Sequence, residues 1–525
     1  MRLYYWGNML KRRDILKLGS SGAAILLAGG GLIGSAEAQN QPPPSPLAAV
    51  SEGKNFSFQA LQETAAALAQ KPFQAVSAPL PDVFSNLSPD DYNAIRMKQD
   101  FYIWKGEAAG FSIEPLHRGF VFSAPVLIFT IEDGVVRRMT YQASRFNFGK
   151  LNVPDIQNDL SFSGFRILFA GMPGLDDLAV FQGASFFRSR ANSQGYGIVA
   201  RALAIRTAEA RGEEFPFFRA FWIEKPVPGT ATIIVNALAD SESASAAFRF
   251  TIRPGDATII DTEATVYARA QIDHVGFAPM QGTFLTGGNS RRTADDIRPT
   301  VHELDGLQMH NGRGEWIWRP VQNPEALQVS GFQDENPRGF GLIQRDRDPS
   351  SYYDSDQRWE IRPSLWVEPI GDWGQGSIQL VEIPSDSDVN DNIIGYWRPR
   401  GTVPVGKDIS IAYRQFWCWN LPEKIPLALV NATRIGRGTG RGRRILVEFM
   451  GDELGTLKQA SDIKINLSAN PGTIGNVRTA LTPERKTCRV VFDFDPGGEA
   501  AAEMRMILEV GGKPISETWL YRWTP

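Results

Sequence analysis

The sequence predicts an all-β protein of antiparallel sheets packed as sandwiches, and three observations predict it. Apolar and polar residues alternate with period two along most of the chain, short polar turn strings separate the alternating runs, and helical spacing is confined to the first part. Strand-turn-strand succession without crossover helices leaves antiparallel pairing as the way to satisfy the backbone. Sheets of that kind bury their apolar faces against one another.

The chain of 525 residues begins with an export signature. Lys11-Arg12-Arg13-Asp14-Ile15-Leu16-Lys17 sets a twin arginine before an apolar run, Leu18 to Ile33, that is too short and too rich in Gly and Ser to span a bilayer comfortably. Ala36-Glu37-Ala38 then reads as a small-x-small cleavage signal, so residues 1–38 form a twin-arginine signal peptide and the working chain starts near Gln39. Export after folding, to the periplasm, is the expectation. No other stretch resembles a membrane span, so the chain is not expected to be an integral membrane protein once the leader is removed. The leader holds five basic and two acidic residues, so its removal takes the net charge from −3 to about −6. That charge argues against nucleic acid as a partner.

After a Pro-rich remnant, Gln41 to Pro46, the run Ser57 to Lys71 places Phe58, Leu61, Ala65 and Leu68 at helical spacing. Ser88-Pro89-Asp90-Asp91 reads as an N-cap, a proline at the first helical position and an acidic first turn. Val126 to Ile131 and Val135 to Tyr141 flank Glu132-Asp133-Gly134 as a hairpin, and strands are expected at Thr232 to Leu238, Phe248 to Ile252 and Thr258 to Tyr267. A break falls at Arg398-Pro399-Arg400-Gly401-Thr402-Val403-Pro404-Val405-Gly406. Short strands resume after it: Ile409 to Trp419, Arg444 to Phe449, Lys464 to Leu467, Thr487 to Phe494 and Met504 to Val510. About 120 residues of this kind fit one immunoglobulin-like sandwich, which divides the chain into a large domain, 39–400, and a smaller one, 401–525.

Composition narrows the chemistry. Thirteen Trp, 31 Phe and 12 Tyr supply apolar mass for a large core and also suit sugar binding, since pyranose C–H faces stack on aromatic rings. Cys418 and Cys488 are the two cysteines; a structural disulfide and two buried thiols are equally compatible with them, and neither suggests thiol catalysis. The tract Gly436 to Arg444 lacks the strand-to-helix setting of a phosphate-binding loop and reads as a solvated loop. Four histidines without metal-ligand spacing, and no Gly-x-Ser-x-Gly or Cys-x-x-Cys string, weigh against metallohydrolase, serine-hydrolase and thiol-redox chemistry. From Arg298 to Trp397 carboxylates are interleaved with aromatics: His302-Glu303-Leu304-Asp305, Glu315-Trp316-Ile317-Trp318, Tyr352-Tyr353-Asp354, Trp359, Trp366-Val367-Glu368, Asp372-Trp373 and Asp386 to Asp391. Two carboxylates across a sugar cleft are what glycosidic cleavage needs, one to protonate the leaving oxygen and one to activate the attacking group.

Longer strings are more specific. Gly183-Ala184-Ser185-Phe186-Phe187-Arg188, Tyr196-Gly197-Ile198-Val199-Ala200-Arg201, Glu213-Glu214-Phe215-Pro216 and Phe221-Trp222-Ile223-Glu224 lie in one half. Asp334 to Gly341, Arg362 to Pro369 and Ser516 to Tyr521 lie in the other. In this order, from about Phe56 to Trp523, the chain resembles the OpgG/OpgD family of glucan biosynthesis proteins, and the twin-arginine leader favours the OpgD branch. The resemblance implies a large galactose-mutarotase-like β-sandwich with a long cleft followed by a smaller immunoglobulin-like sandwich. It implies action on linear β-1,2-glucan with inversion and without any cofactor.

The resemblance also assigns roles. The general acid falls at Asp391, in Asp391-Asn392-Ile393; the acidic residue supporting its loop falls at Asp388; and the base, reached from water through a relay, falls at Glu303. Asp388 and Glu303 stand where Glu and Asp are expected in hydrolytic relatives, and Trp359 stands where a tyrosine is expected. An indole offers one N–H donor and no hydroxyl to pass a proton, which points to a sugar hydroxyl attacking in place of water, by transglycosylation or cyclisation. Tyr352, Trp359, Asp346 and Arg347, in loop-like sequence, together with Arg298 and the strand residues Trp318, Trp366 and Trp373, are the expected glucan contacts. For the tryptophans the competing reading is core; for Glu303 it is an ion pair with Arg298 or Arg345; for Asp391 it is a turn carboxylate. Three functions remain: a glucanase, a transglycosylase, and a non-catalytic binder guiding glucan from a membrane synthase.

Overall fold

Ser57 opens the first long helix: its hydroxyl accepts from the Ala60 amide at 3.1 Å, and the helix Phe58–Ala69 lays Leu61 and Ala65 into a small core beneath a sheet. A cap of this kind stabilises by about 1 kcal/mol. Ser88 caps Pro89–Ala94 in the same way, from Asp91 N at 3.1 Å, with the proline at the first turn. The computed structural model describes residues 47–171, 177–289, 296–438, 440 and 442–525. The expected leader, 1–38, lies outside the described residues.

Two sheets carry the larger sandwich. One has ten strands and runs from Phe111–Leu116 through Gly164–Phe169, Ala179–Gln182, Phe186–Ser189, Val199–Arg201, Val275–Gly282, Ile393–Pro399 and Gln375–Glu382 to Gln328–Glu335. The other has fifteen and includes the long antiparallel ladder Ile233–Asp240, Ala244–Arg253 and Ala257–Ala268. The expected hairpin is there, Leu127–Glu132 with Val135–Arg138 across Asp133 and Gly134, both at positive φ. Between the sheets lies one continuous apolar core, in which Phe181 of the first sheet meets Phe250 of the second with ring centroids 5.3 Å apart.

Period-two alternation makes the ten-stranded sheet two-faced. Phe165, Ile167, Phe181, Phe187, Ala200 and Met280 point into the core. Cross-strand pairing sets the opposite face: Glu114 opposite Arg166, both Arg166 and Arg188 opposite Val180, Arg201 opposite Phe186, and Gln281 opposite Val199. A row of arginines therefore runs across this outer face to Gln281, where the site begins.

The C-terminal sandwich sets a four-stranded sheet (Leu429–Arg437, Arg443–Met450, Thr487–Asp495, Thr473–Thr482) against Lys464–Asn470, Ala502–Val510 and Thr518–Trp523. Thr518–Trp523 also pairs in parallel with Trp316–Pro320, so the two sandwiches share the fifteen-stranded sheet. Asp408–Cys418, beyond the break expected at Gly401, hydrogen-bonds to both Ala257–Ala268 and Ser364–Ile370 in the body of that sheet. We therefore propose residues 419–428 as the connector between the two units. Cys418 and Cys488 are free thiols, both buried in the C-terminal core.

Candidate active site

The loop between the adjacent strands Gln375–Glu382 and Ile393–Pro399 presents Asp391 beside Gln281. Asn392 fixes that loop: its amide donates to Phe284 O and Ile383 O, both at 3.0 Å, and its oxygen accepts from Phe284 N at 2.8 Å. Asp391 is thereby held by its neighbour, with its carboxylate free of the anchoring work. Gln281 Nε2 donates to Asp391 Oδ2 at 2.7 Å, while Thr283 Oγ1 lies 3.5 Å from Oδ1 and donates to Asn390 O at 3.0 Å. Asp391 keeps partial solvent access and forms no ion pair within 4.0 Å among the described residues.

Glu303 reaches the same place from the far side of Thr283. Its backbone pairs with Thr283 O, its Oε1 accepts from Thr283 N at 2.9 Å, and its Oε2 accepts from Arg362 Nη1 at 3.1 Å. The Arg362 guanidinium lies 3.7 Å from the Trp359 ring centre, a cation–π contact that fixes the plane of the ion pair. Gly197 closes over the group: a Cβ there would stand 2.9 Å from Glu303 Oε2 and 2.8 Å from Arg362 Cβ, so only glycine admits this approach.

Burial holds the Glu303 carboxyl above its ordinary range, and the charge of Asp391 adds to the rise, against Arg362 and the Thr283 amide. Asp391 is likewise held up, chiefly by burial, against Gln281 and the nearby charges of Arg201, Arg188 and Arg362. The two carboxyls thus resist ionising together. Glu303 has a direct cationic partner in Arg362, and Asp391 is the more accessible of the two.

A second cluster borders this pair. Arg298 donates to Asp296 at 2.6 Å, Asp354 at 3.0 Å and Asp388 at 2.9 Å, tying three loops together. Asp388, three residues before Asp391, is thus tied to Arg298. Although burial opposes it, the Asp354 carboxyl is held below its usual range by the Gln357 amide, Arg298 and the Trp359 indole, whose Nε1 donates to Oδ2 at 3.0 Å. A continuous path runs Asp388, Arg298, Asp354, Trp359, Arg362, Glu303.

The other expected contacts fall elsewhere. Trp359 and Tyr352 are buried; the Tyr352 hydroxyl accepts from Gln344 at 2.8 Å and donates to Asp346 O at 2.9 Å, so they form the floor of the loop. Arg347 donates to Gln344 Oε1 and Glu360 O, both at 3.0 Å, and lies over Trp419. Asp346, half-buried, accepts from the Asp348 amide in the same loop. Trp318 is buried in the C-terminal core with Arg345 3.5 Å over its ring, and Trp366 stacks on Trp316 there. Trp373 donates to Ala412 O at 3.1 Å at the edge of the main core. These three are packing residues. The ion partner of Glu303 is Arg362, not Arg298 or Arg345. Gln281 and Thr283 carry no individual signal in the sequence, Asn392 shows only within Asp391-Asn392-Ile393, and Arg188 and Arg201 show only as the last residues of the strings Gly183 to Arg188 and Tyr196 to Arg201.

A family model described as "Periplasmic glucan biosynthesis protein, MdoG" matches residues 56–523, which takes in both sandwiches and every residue of the site. The chain belongs to this family. It is 43% identical over 472 residues to "Glucans biosynthesis protein G" of Bradyrhizobium diazoefficiens, covering 90% of this chain and 94% of that one. It is 41% identical to the protein of the same name in Vibrio cholerae, over 87% of this chain and 85% of that one. Among solved structures a chondroitinase AC lyase overlays with a TM-score of 0.23 and 10% identity, over 65% of this chain and 52% of that one. The MdoG-family member described here is a periplasmic protein of glucan biosynthesis, and among its described residues no helix is long and apolar enough to cross a membrane.

Proposed function

We propose that this MdoG-family protein cleaves linear β-1,2-glucan with inversion, Asp391 being the proton donor. One observation carries the reading: an accessible carboxyl with a single close donor stands beside a buried carboxylate already paired to Arg362. Asp391 gives its proton to the glycosidic oxygen as the bond to the anomeric carbon breaks. A hydroxyl attacks that carbon from the opposite face, its proton passes towards Glu303, and transfer back to Asp391 closes the cycle. The β linkage becomes α at the attacked carbon.

Transfer to a sugar hydroxyl is favoured over hydrolysis by Trp359. Its only donor is committed to Asp354 and it has no hydroxyl to hold a water. In the OpgD branch, to which Arg12-Arg13 points, the product is then a branched or cyclic glucan.

The test incubates the chain without its leader, and its Asp391→Asn variant, with linear β-1,2-glucan, and follows reducing ends and product masses. New reducing ends mean hydrolysis, and cyclic or linkage-shifted products without them mean transfer. Intact glucan from both proteins, with retained binding, would establish instead a binder that assists a membrane synthase.

A further inference from the structure

We propose that Ile297, Tyr353 and Val389 form an apolar rim on which a glucosyl unit of the bound glucan stacks, the Tyr353 ring being the platform. This rests on the reading of glucan as ligand.

The rim follows from the Arg298 cluster. Each of the three loops that Arg298 ties together turns one large apolar side chain outward next to the tie. Ile297, beside Arg298 itself, is 96% exposed; Tyr353, before Asp354, 73%; and Val389, after Asp388, 38%. No other described aromatic among the exposed large apolar residues approaches Tyr353, since Phe101 and Phe217 stand at 43% and 40%. Three exposed apolar side chains, each beside a member of the Arg298 cluster, stand on loops that the ion pairs of Arg298 to Asp354 and Asp388 tie together, and exposed apolar surface held in this way is what a binding site uses.

Backbone geometry points the same way. Tyr353 ends the short helix Pro349–Tyr352 at φ +50°, ψ +37°, a left-handed conformation that a tyrosine adopts only under constraint. Its neighbour Tyr352 is driven into the floor, and the αL turn throws Tyr353 out to water. Strain of this kind, kept where an exposed aromatic results, is a feature of ligand-holding segments.

The occupant is set by continuity with the carboxylate pair. From Asp354, next to Tyr353, the path through Trp359 and Arg362 reaches Glu303, and from Asp388, next to Val389, the loop reaches Asp391 three residues on. A glucan threaded past Asp391 passes the rim a short way along. There the pyranose C–H face meets the ring, and its hydroxyls meet the partly exposed carboxylate of Asp388.

The test measures affinity for linear β-1,2-gluco-oligosaccharides of increasing length by calorimetry, in an Asp391→Asn background so that ligand is not consumed. Tyr353→Phe is expected to bind within about twofold of its parent, because the ring is kept. Tyr353→Gly is expected to bind longer oligosaccharides about tenfold more weakly, with an equal or higher thermal midpoint because glycine takes this φ without strain. A glycine variant that binds as tightly as its parent overturns the rim, as does one whose weaker binding comes with a lowered midpoint. A glycine variant that changes sedimentation state while keeping its affinity overturns it in favour of self-association. A parent that binds no oligosaccharide of any length removes the glucan reading itself.

Discussion

Two carboxylates of this fold, Glu517 and Asp391, have received opposite treatment. Glu517, at the junction of the sandwiches, takes four donors: Arg345 Nη1 and Val430 N on one oxygen, both at 2.7 Å, and Arg345 Nη2 and Gln308 Nε2 on the other, both at 3.0 Å. Asp391 takes one close donor and shares its surroundings with a second carboxylate. Complete satisfaction makes a buried charge a fastener, and withheld satisfaction makes it a reagent. The fastener joins Gln308 and Arg345 of the larger sandwich to Val430 of the C-terminal one, whereas the proposed proton donor stands on a loop at the outer face of the other sheet.

The comparison is sharpened most by Asp391→Asn. Turnover should fall by roughly 10²–10⁴-fold, the usual worth of a positioned acid, while the fold stays intact. Because the native pKa of Asp391 lies above its unfolded value, its contribution to stability is present below the ordinary carboxylate range and is lost as pH rises through the raised native value. Each tenfold weakening of the acid on folding corresponds to about 1.4 kcal/mol of that contribution. Denaturant titrations from the ordinary carboxylate range upward should therefore show the wild type losing more stability than the variant as the pH rises. A variant as pH-sensitive as the wild type would put the proton elsewhere.

Glu517→Ala should give the reverse pattern. Removing one partner strands the Arg345 guanidinium and the Val430 amide, at about 3–5 kcal/mol of stability, read by urea unfolding. Turnover per folded molecule should be unchanged. Glu303→Gln removes the proposed acceptor of the attacking hydroxyl's proton, so turnover should fall, as in Asp391→Asn, by roughly 10²-fold or more. With the neighbouring negative charge gone, Asp391 ionises more readily, so the alkaline limb of the residual pH–rate profile should move down.

What was legible in sequence was whatever is local. Caps at Ser57 and Ser88, and the alternation along Ala244–Arg253 and Ala257–Ala268, are written in neighbouring residues. Parallel pairing of Thr518–Trp523 with Trp316–Pro320 joins segments some two hundred positions apart, and no spacing announces it. For Trp318 and Trp366 the alternation gave a strand face truly, but what covers that face is decided by the C-terminal sandwich packing onto it. In the same way Glu303 was legible as a carboxylate with an arginine nearby, and the choice of Arg362 over Arg298 was made by the loop that lays Arg362 on Trp359. Nor does local spacing separate Tyr352 from Tyr353: adjacent residues with one chemistry are sorted into floor and surface by a single left-handed turn.

Trp359→Tyr carries the smallest expected effect and asks the finest question. A phenol in place of the indole would keep a donor to Asp354 and add an acceptor able to hold water, and the Arg362 guanidinium would still find an aromatic face. Total turnover should move by only a few-fold, whereas the share of hydrolysed over transferred product should rise, read as new reducing ends per bond cleaved. An unchanged ratio would mean that water is excluded from the site by something other than the missing hydroxyl. The nearest alternative cause on the Glu303 side is the Thr283 and Arg362 pair of donors that already occupies both of its oxygens, which Arg362→Lys would loosen at one of them.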